Sequence, residues 1–271
     1  MTTTSSGDLF ADTPLTGQHA VITGGSRGIG AACADALARL GANVSLVSRS
    51  ADALATKKQE IEAARGVKVA TAVADVADPE EVETAFAAVT DALGAPHILI
   101  NNAGIGKSAP FHRTTLDFWQ ETIALNLTGA FLCTQQVYGA MREAKYGRIV
   151  NIASIVGLHG YAYIAAYAAS KHGVVGLTRS LALEAAKSGI TVNAVCPGYT
   201  DTDLVTEAVD NIVEKTGRSA DDARAELAST SPIGRLITPE EVAETAAWLC
   251  LPSSSAITGQ AIVVAGGAVQ N

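Results

Sequence analysis

The stretch HAVITGGSRGIG, residues 19–30, runs from a short apolar segment through a glycine turn into the Ala-rich run ACADALARL, residues 32–40. Five apolar-rich residues bounded by glycines read as a buried strand. The Ala-rich run, apolar at helical spacing, reads as a helix. A glycine turn between them lets the backbone approach a phosphate. The helix N-terminus there offers free N–H groups and the positive end of its dipole. Gly24, Gly28 and Gly30 are spaced G-x-x-x-G-x-G, a variant of the dinucleotide fingerprint. A tight turn with no ligand is the alternative, and the position of the turn at the start of an alternating chain argues against it.

Outward from this unit the alternation repeats. Apolar runs stand at 19–23, 43–48, 67–74, 97–101, 147–152, 190–196 and 261–265, with amphipathic Ala-rich stretches between them. Gly41 and Gly94 close two helical runs as C-caps. Asp78 is an N-cap with Pro79 at the first helical position. Seven strands alternating with about six helices predict an α/β fold. It is a single doubly wound Rossmann domain, with a seven-stranded parallel sheet and helices on both faces. Residues 1–16 are polar and Thr/Ser-rich and read as a flexible tail, which leaves 17–271 as the domain. Residues 201–231 are charged, mildly helical and too long for a plain crossover. They follow a strand's carboxyl end, where ligands bind in open α/β sheets, and read as a substrate lid. A helical insertion without function is the alternative.

Composition narrows the classes. A chain of 271 residues suits one large α/β domain. Hydrophobic residues reach 48% while aromatics are 5%, so the core must be built from Ala, Val, Ile and Leu. A net charge of −8 argues against a nucleic-acid partner, and any phosphorylated ligand must be held by local groups. Cys33, Cys133, Cys196 and Cys250 form no CxxC pair and have no His at ligand spacing. Reduced, buried thiols and no metal site are expected. No apolar run reaches the ~18 residues of a membrane span. The N-terminus lacks the basic and apolar regions of a secretory signal. A cytoplasmic protein is the expectation.

The end of the second strand selects the cofactor. A site for NAD wants an acid there, on the ribose 2′-OH. The chain instead reads LVSRS, with Ser48 and Arg49. A guanidinium fork beside a hydroxyl suits a 2′-phosphate, and Arg27 in the glycine loop is positioned to face the same group, with Ser26 and Ile29 of that loop also expected at the cofactor. NADP(H) is therefore favoured over NAD(H), the alternative being that Arg49 only caps a strand end in solvent. Asp75 and Val76 follow the third strand, where the carboxylate suits an adenine amino group. Asn101, Asn102, Ala103 and Gly104 follow the fourth, where small residues permit close approach to the cofactor.

The chemistry is expected in YIAAYAASKHGVVGLT, residues 163–178. Tyr167 and Lys171, four apart, share a helix face. An ammonium near a phenol favours phenolate and lowers its pKa from about 10. A phenol so tuned passes a proton to or from an alcohol oxygen. Ser154, just beyond the fifth strand, is placed to donate to the same oxygen. Asn126 is a poor helix former in an apolar helix, and is expected to bind backbone and a water that relays protons toward Lys171. Each residue alone has a purely structural alternative. His159 is a candidate pocket residue, and His172 is expected to turn away. His19, His97 and His112 read as strand or loop surface.

TGGSRGIG, NNAG, the set Asn126–Ser154–Tyr167–Lys171 and PGYTDT at 197–202 resemble, in order and spacing, the motifs of the short-chain dehydrogenase/reductase family. The resemblance runs from about residue 15 to 270. It implies a Rossmann fold, a nicotinamide cofactor and a catalytic tetrad of those four residues. It also implies that Tyr167 and Lys171 meet the nicotinamide ribose and that Pro197, Gly198, Thr200 and Thr202 hold the carboxamide. Members are often homotetramers.

Within the family, SKHGVVGLT, GITVNAVCPG and PIGRLITPEEVAE are most similar to 3-oxoacyl-thioester reductases, including polyketide ketoreductases. Residues 201–231 also resemble 3-hydroxybutyrate dehydrogenases. Those favour NAD, against which Ser48 and Arg49 argue. The expected activity is NADPH-dependent reduction of a ketone, a 3-oxoacyl thioester, to the secondary alcohol. The alternatives are a dehydrogenase of a small or cyclic secondary alcohol or 3-hydroxy acid, and a catalytically idle dinucleotide-sensing protein. Lys107, Arg113 and Arg235 are the basic candidates for a phosphopantetheine arm at the pocket mouth.

Overall fold

The computed structural model describes residues 13–269. Seven strands form one parallel sheet: β1 (His19–Thr23), β2 (Asn43–Ser48), β3 (Val69–Val73), β4 (Ile98–Asn101), β5 (Gly147–Ile152), β6 (Ile190–Pro197) and β7 (Ala261–Val264). Their order is β3-β2-β1-β4-β5-β6-β7. The described helices are α1 (Gly28–Arg39), α2 (Ala51–Arg65), α3 (Pro79–Leu93), α4 (Leu116–Ile123), α5 (Gly129–Ala144), α6 (Ala165–Ala185), α7 (Asp203–Thr216), α8 (Ala220–Ser229) and α9 (Pro239–Cys250).

The strands are continuous apolar runs because both faces of the sheet are covered. The period of two then sends neighbours to opposite cores. Ala20, Ile22, Ile98 and Ile100 pack with α1, α2 and α9. Val21 and Leu99 pack with α3, α5 and the end of α6. The chain winds outward in both directions from β1 and β4, so a crevice opens at the carboxyl ends of these two strands. Asp78 caps α3 as the sequence predicts. Its carboxylate accepts from the N–H groups of Glu80 and Glu81 at 2.9 and 3.1 Å. All four cysteines are free and buried.

Several expectations need correction. Nine α-helices stand among the described residues, not about six. The crossover after β4 is broken into α4 and α5 by a π-turn at Ala124–Thr128, and the segment after β6 folds into α7 and α8. The third strand is shorter than 67–74 at both ends. Residues 1–12 of the expected tail lie outside the described residues, but Leu15 is fully buried and its N–H donates to Leu40 O at 2.9 Å. His19 is a core residue and not strand surface. It is 1% exposed, with Nδ1 against Gly94 O and Nε2 against Ser45 Oγ, both at 2.7 Å.

Candidate active site

The glycine loop joins β1 to α1. Arg27 is extended as the N-cap residue of α1, and Gly28 follows at φ +52°. A Cβ on Gly30 would lie 2.2 Å from the Gly24 carbonyl oxygen, so α1 packs against the loop only with glycine there. The second Asn of NNAG locks the loop. Asn102 Nδ2 donates to Thr23 O and Gly24 O at 3.0 and 3.2 Å. Thr23 Oγ1 accepts the N–H groups of Asn102 and Ala103 at 3.0 and 3.1 Å. Two strand ends are thereby fixed around one cleft.

That cleft has a volume of about 390 Å³. It brings together Gly24, Ser26, Arg27, Gly28 and Ile29 from the loop, Ser48 and Arg49 after β2, and Asp75 and Val76 after β3. Asn102, Ala103 and Gly104 after β4 join them, with Thr202 from the far side. These residues fit a dinucleotide. The wall is bare backbone where a phosphate would lie, and Ser48 Oγ is buried without a hydrogen-bond partner among the described residues. Both arginines already face an acid: Arg27 stands 2.8 Å from Asp203, and Arg49 3.8 Å from Asp75. Asp75 Oδ1 accepts from the Ala77 N–H at 2.9 Å.

The remaining sites predicted for the cofactor lie off this cleft. Gly30 stands behind Gly24. Pro197 ends β6, and Thr200 Oγ1 donates to Gly198 O at 3.1 Å. Thr200 is also bridged to Ile237. Tyr167 and Lys171 stand beyond Gly104. A Cβ on Gly104 would lie 3.0 Å from Asn126 Oδ1 and 3.8 Å from Lys171 Nζ.

The four catalytic candidates converge from separate elements. Ser154 follows β5, is buried, and accepts the Val156 N–H at 3.2 Å. Tyr167 and Lys171 lie one turn apart on α6, with the ammonium 5.8 Å from the ring centroid. Lys171 Nζ donates to Ile152 O at 2.7 Å. Asn126 lies in the π-turn. Its Oδ1 accepts the Ile105 N–H at 2.8 Å, and its Nδ2 donates to Ile105 O at 2.9 Å and Ser170 Oγ at 3.1 Å.

The electrostatics differ from the expectation in one respect. Burial raises the Tyr167 phenol above its usual value, and the Ser154 hydroxyl opposes that rise. Lys171 does not depress it. Burial pushes Lys171 itself down to about 8 by stripping water from its ammonium, even though Ile152 O accepts from it.

Sequence reasoning missed Ser170, Leu125, Asp203 and Glu207. Ser170 binds Asn126, and the other three line the cleft. Only Ser170, beside Lys171, had a signal in the motif itself. His159 and His172 are exposed, and His172 Nδ1 meets Ala168 O at 2.9 Å. Of the three basic candidates at the mouth, Lys107 pairs with Glu121 at 2.7 Å and Arg235 with Glu241 at 2.7 Å. No ion pair to Arg113 is present among the described residues.

Comparison with known proteins shows the family of the chain. The family model described as short chain dehydrogenase matches residues 18–212. A 3-oxoacyl-[acyl-carrier-protein] reductase of Synechocystis is 40% identical over 95% of this chain and 99% of its own. A D-beta-hydroxybutyrate dehydrogenase of Cupriavidus necator is 37% identical over 93% and 98%. A Phe-to-Trp variant of actinorhodin polyketide ketoreductase, solved with NADPH, superposes with a TM-score of 0.90 at 38% identity. It covers 95% of this chain and 99% of that one.

Proposed function

The chain belongs to the short-chain dehydrogenase/reductase family, and on that premise we propose that it reduces a 3-oxoacyl thioester to the 3-hydroxyacyl form with NADPH. As a family member it is an oxidoreductase of keto and CH–OH groups that uses a nicotinamide dinucleotide. The convergence of Ser154, Tyr167, Lys171 and Asn126 beside Gly104 carries the proposal.

The bound cofactor would supply hydride to the carbonyl carbon. Ser154 donates to the carbonyl oxygen as negative charge develops there. Tyr167 hands its phenolic proton to that oxygen. Its raised pKa keeps the proton in place until the oxygen becomes basic enough to take it. Lys171, tethered to Ile152, holds its ammonium 5.8 Å from the Tyr167 ring centroid and would meet the nicotinamide ribose. Asn126 clamps Ile105 on both its N–H and C=O, and so sets the backbone leading out of NNAG against α6. Gly24, Ser26, Gly28, Ile29 and Gly30 form the pyrophosphate turn. Arg27, Ser48 and Arg49 favour NADP(H) over NAD(H). Asp75 and Val76 hold the adenine end, and Asn102, Ala103 and Gly104 the ribose. Pro197, Gly198, Thr200 and Thr202 hold the carboxamide.

Phe131 on α5 and Leu183 on α6 are exposed apolar residues suited to burial in a homotetramer. Initial rates with NADPH and NADH, across acyl thioesters and simple ketones, test the assignment. A preference for NADPH with an acyl thioester is expected. A more than tenfold preference for NADH, or for short 3-hydroxy acids in the oxidative direction, would overturn it.

A further inference from the structure

We propose that Asp203 weakens the preference for NADP(H) by holding Arg27 away from the cofactor's 2′-phosphate, an inference that rests on Arg27 belonging to the phosphate-binding pair. Asp203 acts through Arg27 and is a positioning residue. It sits at the first position of α7 and reaches back to the glycine loop across 176 residues of chain. Arg27 donates to its carboxylate at 2.8 Å.

The contact follows from how the two segments pack. Thr202, Asp203, Leu204 and Glu207 line the same cleft as Arg27 and Arg49. Thr202 Cγ2 would lie 3.2 Å from a Cβ on Gly28, so the first turn of α7 rests directly on the loop. Asp203 lies in the first turn of α7, where the helix dipole favours a negative side chain.

Charge then decides the direction. The cleft holds Arg27 and Arg49 against Asp75, Asp203 and Glu207. A 2′-phosphate that recruits Arg27 must break the ion pair and stand beside the carboxylate left behind. NADH has a hydroxyl at that position and makes no such demand. Asp203 therefore burdens one cofactor and not the other. Both side chains are mostly exposed, 70% and 60%, so the effect is a small factor.

Fluorescence titration of NADPH and NADH into the full chain at low salt measures this without turnover. The variants are Asp203→Asn, Asp203→Glu, Arg27→Ala and the Arg27→Ala/Asp203→Asn double. Asp203→Asn is expected to tighten NADPH about two- to fivefold and leave NADH within about 1.5-fold. Asp203→Glu should match the wild type, and the double variant should bind as Arg27→Ala does. Equal tightening of both cofactors by Asp203→Asn would mean altered packing of α7 and would overturn the proposal. So would unchanged NADPH affinity, or tightening that persists without Arg27. If Arg27→Ala leaves NADPH binding unchanged, the phosphate assignment fails first, and the proposal with it.

Discussion

Lys171 donates its ammonium to the carbonyl oxygen of Ile152 at 2.7 Å, so the charged member of the proposed tetrad is tied to the last residue of β5. The tether holds the charge where burial opposes it. The fall in its pKa from 10.5 to about 8 corresponds to roughly 3 kcal/mol of disfavoured charge at neutral pH. The folded value lies below the unfolded one. Stability from this group is therefore full only above about pH 10.5, and it is lost as pH falls toward 8. Replacing Lys171 with Met removes that burden and leaves Ile152 O without a donor, at about 1–2 kcal/mol. Urea unfolding at pH 7 should find Lys171→Met as stable as wild type, or up to about 2 kcal/mol more stable, with turnover reduced at least ~100-fold. A variant clearly less stable than wild type would mean that the tether outweighs desolvation.

Tyr167→Phe isolates the proton. The ring keeps its place on α6, while the hydroxyl that faces Ser154 is lost. Turnover is expected to fall by about 10²–10⁴. Cofactor affinity should stay within about threefold, read by fluorescence titration. Residual turnover within tenfold of wild type would remove Tyr167 from the chemistry.

The strand ends were legible because sheet position and chemistry share one cause. Buried parallel strands are largely apolar, so the polar residues at or just past their carboxyl ends, Ser48, Asp75, Asn102 and Ser154, mark the crevice. Tyr167 and Lys171 were legible because helix periodicity fixes i and i+4. Asn126 was recognisable as an oddity, but the π-turn that directs its amide into Ile105 depends on packing against a distant loop. Asp203 gave no signal, because its partner lies 176 residues away and charge alone does not choose between many exposed acids. His19 was misread for the same reason. A histidine at a strand start looks solvent-facing until Gly94 and Ser45 are brought to its two nitrogens.

Asn126→Ala should cost stability as well as rate. Asn126 is 2% exposed and satisfies both the N–H and C=O of Ile105. Truncation leaves two backbone groups unpaired at roughly 1–3 kcal/mol each. Denaturant unfolding is expected to show a loss of about 2–4 kcal/mol, reduced by whatever water enters the gap. A loss below about 0.5 kcal/mol would indicate that Ile105 finds other partners and that Asn126 is not a clamp.

At the amino ends of the central strands β1 and β4, opposite the crevice, His19 and His97 make stability sensitive to acid. His19 Nδ1 faces the Gly94 carbonyl and must carry its proton, so Nε2 accepts from Ser45 Oγ. His97 Nδ1 accepts the His19 N–H at 3.1 Å and must be unprotonated there. Burial lowers the pKa of both rings, and charge on His97 further lowers that of His19. The folded values lie below the unfolded 6.5. The stabilisation is complete above about pH 6.5 and is lost as pH falls through the folded values. Urea midpoints should therefore hold level from pH 8 to 7 and drop between pH 6.5 and 5. In His97→Gln a side-chain oxygen can accept the same N–H without titrating, so the drop should be shallower. Parallel losses in wild type and His97→Gln would assign the acid sensitivity to carboxylates elsewhere and not to this pair.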